Sequence, residues 1–362
     1  MKEIAKFTRR FSECVSPGHP DKCADLISQY ILDRYIEKDP YVRYAVEVLI
    51  KSNVVHLAGE VTSRINFSQD DYKRFVFEAL KKIGYTPEYY KAWGNGNTID
   101  PVNLEIINNI TEQSPEISQG VNREGWGDQG IFFGYADPDG DEYLVPKSHS
   151  LAKNLCYILY KQAKEQGVGG LDIKTEIVLS ENDWIEKVIA AVPCRDYTEY
   201  ETILTSIKKW CSKYIEEGAD LPEIILNGTG NYTMHGPVAD TGVTGRKLAV
   251  DFYGGEFQVG GGAVIKDGTK ADVSLNLLAR KLAKEWANKE YKPIKVGLAC
   301  CIGKSEVDYV IEEPCGQIIE TGTMEIRPNK IIKELGLDKP IYFSMHEFGL
   351  FGEFQQDKEW EK

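Results

Sequence analysis

At 362 residues the chain is longer than one compact core usually serves, so about two or three domains are expected. A net charge of -13 argues against nucleic acid or an anionic membrane surface as partner, so any polyphosphate would have to be held by local lysines, arginines and metal. Eight cysteines without a Cys-x-x-Cys pair, no apolar run of membrane length and a first ten residues without a signal-peptide core predict a protein of the reducing cytoplasm.

The first organised stretch is Ser12-Glu13-Cys14-Val15-Ser16-Pro17-Gly18-His19-Pro20-Asp21-Lys22. A glycine loop runs into Pro20, and Leu26, Ile27, Tyr30, Ile31 and Tyr35 follow at helical spacing. Pro20 suits the first helical position, so His19, Asp21 and Lys22 fall around a helix N-terminus, where free N–H groups and the dipole favour phosphate. Asp21 alone would repel that phosphate; by itself the tripeptide reads as an Asp complementing the dipole and a surface Lys, and Glu13 and the glycine loops downstream turn it toward a carboxylate carrying Mg²⁺ that bridges the two.

Two strands joined at Lys51-Ser52-Asn53 are predicted next, from Val42 to Ile50 and from Val54 to Thr62. By alternation alone Glu47 is an exposed strand residue. Asp70 to Ile83 reads as an amphipathic helix closed by Gly84. Gln113 to Gly127 is a polar connection, a lid or a linker. A loop at Gly127-Asp128-Gln129-Gly130 enters a buried strand; a helix from Lys147 to Gln166, strands at Asp172–Leu179 and Trp184–Val192, and a helix from Thr198 to Glu217 follow.

Glycines then concentrate around Asn227-Gly228-Thr229-Gly230, Asp240-Thr241-Gly242-Val243-Thr244-Gly245-Arg246-Lys247 and Gly260-Gly261-Gly262. A strand is predicted at Leu248–Phe252. A helix opens near Asp272, with Thr269 and Asp272 spaced like a capping box. This repeats the first stretch: glycine loop, lysines, and an Asp at a helix N-terminus. Two such places suggest two metal positions on one polyphosphate, without a Walker loop. Strands at Ile294–Ile302 and Val307–Ile311 and a helix at Asn329–Leu335 complete the chain. From the residues alone this is ATP-type chemistry with Mg²⁺, His19 being placed to donate to a leaving oxygen. The acceptor of the chemistry is open at this level.

Four motifs carry a resemblance: the stretch at 12–22, Gly-Asp-Gln-Gly at 127–130 with Phe-Gly-Tyr-Ala at 133–136, Asp-x-Gly-x-Thr-Gly-Arg-Lys at 240–247, and Gly-Gly-Gly-Ala followed by Lys-Asp-x-Thr-Lys-x-Asp at 266–272. They are similar to S-adenosylmethionine synthetases, nearly end to end and in the same order. The resemblance implies an α+β fold of three similar α/β domains about a pseudo-threefold, with sheets packing at a dimer interface. In sequence the domains would be 1–116, 124–235 and 236–362, discontinuous in space.

It also implies the reaction: the sulfur of L-methionine attacks C5′ of ATP, and the tripolyphosphate that leaves is hydrolysed. The cofactors implied are two Mg²⁺ per site and K⁺. The assembly implied is a homodimer with sites at the subunit interface, a dimer of dimers remaining open. By resemblance His19, Lys174, Arg246 and Lys270 are catalytic. The nucleotide is met by His19, Lys22, Asp128, Asp172, Lys174, Tyr232, Asp240, Arg246, Lys247, Lys266 and Lys270. Methionine is met by Glu60, Gln113, Asp240 and Lys270, with Glu13 a further acid nearby. Asp21 and Asp272 would hold Mg²⁺ and Glu47 K⁺. The chain departs from the family in a shorter loop between Val121 and Gly127. It also has Val192-Pro193-Cys194-Arg195-Asp196 where Ser-x-Gln-His is usual, and one residue fewer after Gly262. Two other readings stay open here. One is a hydrolase that lost methionine binding, against which Glu60, Gln113 and Asp240 speak; the other is a non-catalytic partner subunit.

Overall fold

The computed structural model describes residues 9–94, 96–112, 125–215 and 219–362. Its strands form three four-stranded sheets, each closed by a strand from a distant part of the chain. In the first sheet, β2 (Arg43–Lys51) and β3 (Val54–Thr62) make the central hairpin, turning at Ser52, which takes φ 52°. β4 (Glu105–Thr111) adds in parallel to β3, and the two-residue β9 (Gly242–Val243) adds antiparallel to β2. In the second, β1 (Arg9–Val15) pairs antiparallel with β6 (Lys174–Ser180); β6 pairs with β7 (Ile185–Ala191) and β8 (Glu223–Leu226) adds in parallel. In the third, β5 (Gly130–Ala136), β10 (Ile294–Cys300), β11 (Glu306–Glu312) and β12 (Ile318–Glu325) are antiparallel throughout.

Each sheet carries one long helix: α1 (Pro20–Ile36) packs on β2 and β9, α4 (Lys147–Gln166) on β1 and β6, and α7 (Ala271–Glu290) on β5 and β10. Second helices flank these: α2 (Gln69–Ile83), α5 (Tyr197–Cys211) and α8 (Pro328–Glu334). The order borrowed strand, helix, hairpin, helix therefore recurs, with α3 (Pro87–Trp93), α6 (Leu248–Phe252) and α9 (Tyr342–His346) between the main elements. Alternation leaves one face of the first sheet open: Val46, Val48 and Ile50 are buried under α1, whereas Glu47, Leu49, Ala58 and Glu60 are exposed. No helix among the described residues is long and apolar enough to cross a membrane.

Four expectations are corrected. Leu248–Phe252 is helical, not a strand; a five-residue segment with four apolar residues has no readable period, and Asp251 within it turns inward to a buried lysine. The helix begun at Tyr197 stops at Cys211 rather than Glu217, where its buried face runs out. Helix α7 has Lys270 as N-cap and no side-chain cap, so the Thr269–Asp272 capping box does not form; Asp272 bonds a glycine loop instead. Finally, β1, β4, β8, β9 and β12 have no counterpart among the expected strands: β8 and β9 span only four and two residues, and the side chains of β4 and β12 alternate weakly and mostly stay accessible.

Candidate active site

The approach to α1 is pinned before the helix starts. Ser16 Oγ donates to the carbonyl of Leu171 at 2.6 Å and accepts the N–H of Ile173 at 2.9 Å. Tyr85 donates its hydroxyl to the Gly18 carbonyl at 2.6 Å. A Cβ on Gly18 would lie 2.2 Å from the Leu171 carbonyl oxygen, so no other residue fits. His19 is thereby fixed as N-cap, its Nδ1 accepting the Asp21 N–H at 3.1 Å. Burial, then the charges of Lys247 and Lys174, hold its pKa down at about 3. The ring is neutral at physiological pH, and since Nδ1 accepts, Nε2 carries the proton.

Asp21 gathers the glycine stretch at 242–247 onto this helix start. Its Oδ1 accepts the Val243 N–H at 2.9 Å and its Oδ2 the Lys247 ammonium at 2.5 Å, with the exposed Arg246 guanidinium 3.9 Å away. Burial pushes the Asp21 carboxyl up, but the Lys247 and Val243 hydrogen bonds and the lysine charge outweigh it, so it stays ionised below its ordinary range. Lys174 is exposed at the start of β6 and adds positive charge next to His19. Asp172 accepts the Gly236 N–H at 2.9 Å and is pushed up to about 6, chiefly by burial. Tyr232 is half-buried, its carbonyl accepting the Cys194 N–H at 2.9 Å, which ties the divergent 192–196 segment to this residue. Asp240 is exposed and accepts the Thr241 N–H at 2.8 Å.

Lys22 is the departure. Expected at the phosphates, it is 1% exposed, and its ammonium donates to Asp251 at 2.7 Å. It belongs to the support of the site, not to its open face.

A second group lines a cleft of about 190 Å³ that includes Ala45, Asp128, Phe132, Lys266, Lys270 and Asp272. Asp272 accepts the Gly262 N–H at 2.7 Å and the Lys266 ammonium at 2.8 Å. Cys300 donates its thiol to the Asp128 carbonyl at 3.4 Å. Ala45 is flanked on the same face of the first sheet by Glu47, two positions on, and by Glu60, directly opposite on β3. Glu47 accepts a hydrogen bond from the Thr244 hydroxyl, and Thr244 is itself held by Val48: its N–H donates to the Val48 carbonyl at 3.0 Å, and its Oγ1 accepts the Val48 N–H at 3.1 Å. Glu13 lies exposed on β1, opposite Glu176. Gln113 lies outside the described residues, as does most of the short 121–127 loop. Between the His19–Asp21 group and the Lys270–Asp272 group no hydrogen bond or ion pair runs among the described residues.

Among the described residues no three His, Cys, Asp or Glu side chains gather as a metal cage. Asp21 and Asp272 are instead single carboxylates, each beside one lysine. That donor set fits Mg²⁺ delivered with phosphate oxygens, which takes one or two protein carboxylates and keeps the rest of its shell from substrate and water. Sequence reading missed Asp25, Asp251 and Thr244. Asp25 had a signal, lying three residues after Lys22 on a helix; the other two meet their partners 229 and 197 residues away and had none.

Residues 7–115 match the sequence model of the S-adenosylmethionine synthetase N-terminal domain and residues 234–362 that of its C-terminal domain. The S-adenosylmethionine synthase of Mycoplasmopsis synoviae is 34% identical, the match covering 97% of this chain and 94% of that protein. That of Acholeplasma laidlawii is 33% identical over 97% and 96%. A solved structure described as an unusual S-adenosylmethionine synthetase from Campylobacter jejuni superposes with a TM-score of 0.87 at 30% identity, covering 98% of this chain and 97% of that one. With the mixed α/β architecture, the two domain matches and near full-length relatives in agreement, the chain belongs to the S-adenosylmethionine synthetase family and is a transferase.

Proposed function

We propose that the chain joins L-methionine to ATP by in-line attack of the thioether sulfur on C5′. The S–C5′ bond forms as the C5′–O bond breaks; the electron pair leaves with tripolyphosphate, and the sulfur becomes a sulfonium. Water then cleaves tripolyphosphate to diphosphate and phosphate. A thioether has no proton to lose, so no general base is needed, and catalysis falls to positioning and to charge stabilisation of the leaving group.

The observation that carries this reading is the convergence of Arg246 and Lys247 on Asp21, beside a neutral His19 and Lys174. In that arrangement Lys174, Arg246 and Lys247 receive the phosphates, and His19 Nε2–H donates to the oxygen on which charge develops. Lys266 and Lys270 meet phosphate or methionine from the second group, with Asp128, Asp172, Tyr232 and Asp240 around the nucleoside. Glu60, Gln113 and Asp240 orient methionine. Asp21 and Asp272 would hold Mg²⁺, which when bound would add neutralisation of the leaving group, and Glu47 would hold K⁺. The open face of the first sheet, bearing Glu47, Leu49, Ala58 and Glu60, supports a homodimer whose sites draw on both copies.

The test is a mass-spectrometric assay with ATP, L-methionine, Mg²⁺ and K⁺. S-adenosylmethionine with matching diphosphate and phosphate is the expected product set. Phosphate without S-adenosylmethionine would make the chain a hydrolase on this scaffold.

A further inference from the structure

The first turns of α1 carry a buried charge cluster that phosphate chemistry does not touch. The Lys22 ammonium lies 2.7 Å from Asp251 Oδ1 and 3.8 Å from Asp25 Oδ2, and all three side chains are 1% exposed. Two acids meet one base, and among the described residues neither Asp25 Oδ2 nor Asp251 Oδ2 finds a hydrogen-bond partner. Such a set is poor glue: apolar residues of similar volume often serve stability as well or better. Its contacts point to another use.

Asp25 Oδ1 accepts the Gly245 N–H at 2.8 Å, across 220 residues of sequence. Gly245, at φ 74°, immediately precedes Arg246 and Lys247. Beyond them α6 begins, and its Asp251 donates its N–H to the Lys247 carbonyl at 2.9 Å while its carboxylate holds Lys22. The two side chains that reach Asp21 therefore sit between two anchors. One is Gly245, held by Asp25; the other is α6, held by Lys22 through Asp251. Both anchors attach to the same helix that presents His19 and Asp21.

Resting on the assignment of Arg246 and Lys247 to the phosphates, we propose that Asp25 and Asp251, with Lys22 between them, are positioning residues that fix the Arg246–Lys247 stretch where it receives the leaving tripolyphosphate. The buried cluster makes the distance between this stretch and the helix start a property of the fold, set before substrate arrives.

The experiment measures binding of inorganic tripolyphosphate by calorimetry, the KM for methionine and the thermal midpoint, all on the full chain. Asp25→Ala is expected to weaken tripolyphosphate about 10–100-fold, the usual scale for removing a supporting partner, with the methionine KM little changed. Asp25→Asn keeps an oxygen for the Gly245 N–H and restores most of the affinity. Wild-type tripolyphosphate affinity in Asp25→Ala, with only a lowered midpoint, would overturn the role, as would an Asp25→Asn no better than Asp25→Ala. Should Asp25→Ala not fold, Asp251→Ala carries the same expectation, and wild-type affinity there overturns it equally. Lys247→Ala separates the two levels. If it too binds tripolyphosphate normally, the phosphate assignment fails; if it loses affinity while Asp25→Ala does not, only the positioning role fails.

Discussion

The Lys247 ammonium donates to Asp21 Oδ2 at 2.5 Å, joining residues 226 positions apart. The contact sets a lysine and a carboxylate at one helix start, next to a histidine whose ring is held neutral by burial and by the lysine charges around it. In the proposed function this pair would supply both attraction for phosphate and a seat for its cation.

His19→Ala should lower kcat about 10²–10³-fold, the usual cost of losing a donor to a developing oxyanion, with a much smaller change in ATP binding. Equal losses in kcat and ATP affinity would count against a leaving-group role. With its pKa at about 3, wild-type His19 should contribute no step to the kcat profile near neutrality. Steady-state kinetics across pH, with ATP varied, checks both.

Glu47→Gln should weaken or abolish activation by K⁺ while leaving the Mg²⁺ response in place. The Thr244 hydroxyl can still donate to the amide oxygen, so the sheet should survive. A K⁺ titration of turnover decides, and an unchanged K⁺ response removes the assignment.

Asp33 links α1 to α9, accepting the N–H groups of Tyr342 and Phe343 at 2.9 Å each. Burial raises its pKa from 3.8 to about 6, against the pull of those two N–H groups. A carboxyl raised in the folded state binds more protons there than in the unfolded chain. Its contribution is therefore complete below about pH 4 and is lost as pH climbs through about 6, to the extent of about 3 kcal/mol. Asp33→Asn should be the less stable protein in acid, and the gap between the two thermal midpoints should narrow as pH rises through that window. A gap of constant width would show that Asp33 does not titrate there.

Gly18→Ala should cost at least about 1–3 kcal/mol, the overpacking range, because the added Cβ meets backbone rather than a flexible side chain. Relief requires moving Gly18 off the Leu171 carbonyl, which displaces His19 with it. The thermal midpoint should fall and turnover should fall further than stability alone accounts for. Melting curves beside activity at a temperature where the variant is folded would show it.

The elements that sequence reveals well are those whose burial repeats along the chain. Val46, Val48 and Ile50 mark β2 by alternation, and Tyr72, Phe75, Val76, Ala79 and Leu80 mark α2 by its apolar face; both stand in the structure where the pattern places them. Leu248–Phe252 failed because four apolar residues around one aspartate fit either period, and the partner of that aspartate, Lys22, lies 229 residues before it. Lys22 itself was misplaced for the matching reason. A lysine after a histidine and an aspartate at a helix start reads as an open phosphate ligand, and only the packing of α6 shows that its charge is already engaged. Glu47 shows the limit from the other side. Its exposure on a strand was legible, but the hydroxyl of Thr244 beside it was not.

The borrowed strands bear on how the chain can be made. The central hairpin of the first sheet, Arg43–Thr62, cannot gain its β9 neighbour until residue 243 has left the ribosome, and β1 must wait for β6. Pairings of such long separation slow folding, and until they form, the edge of β2 is open to another chain. A fragment ending before residue 242 should therefore be prone to self-association, and cutting this protein into thirds should yield three insoluble pieces rather than three small folds.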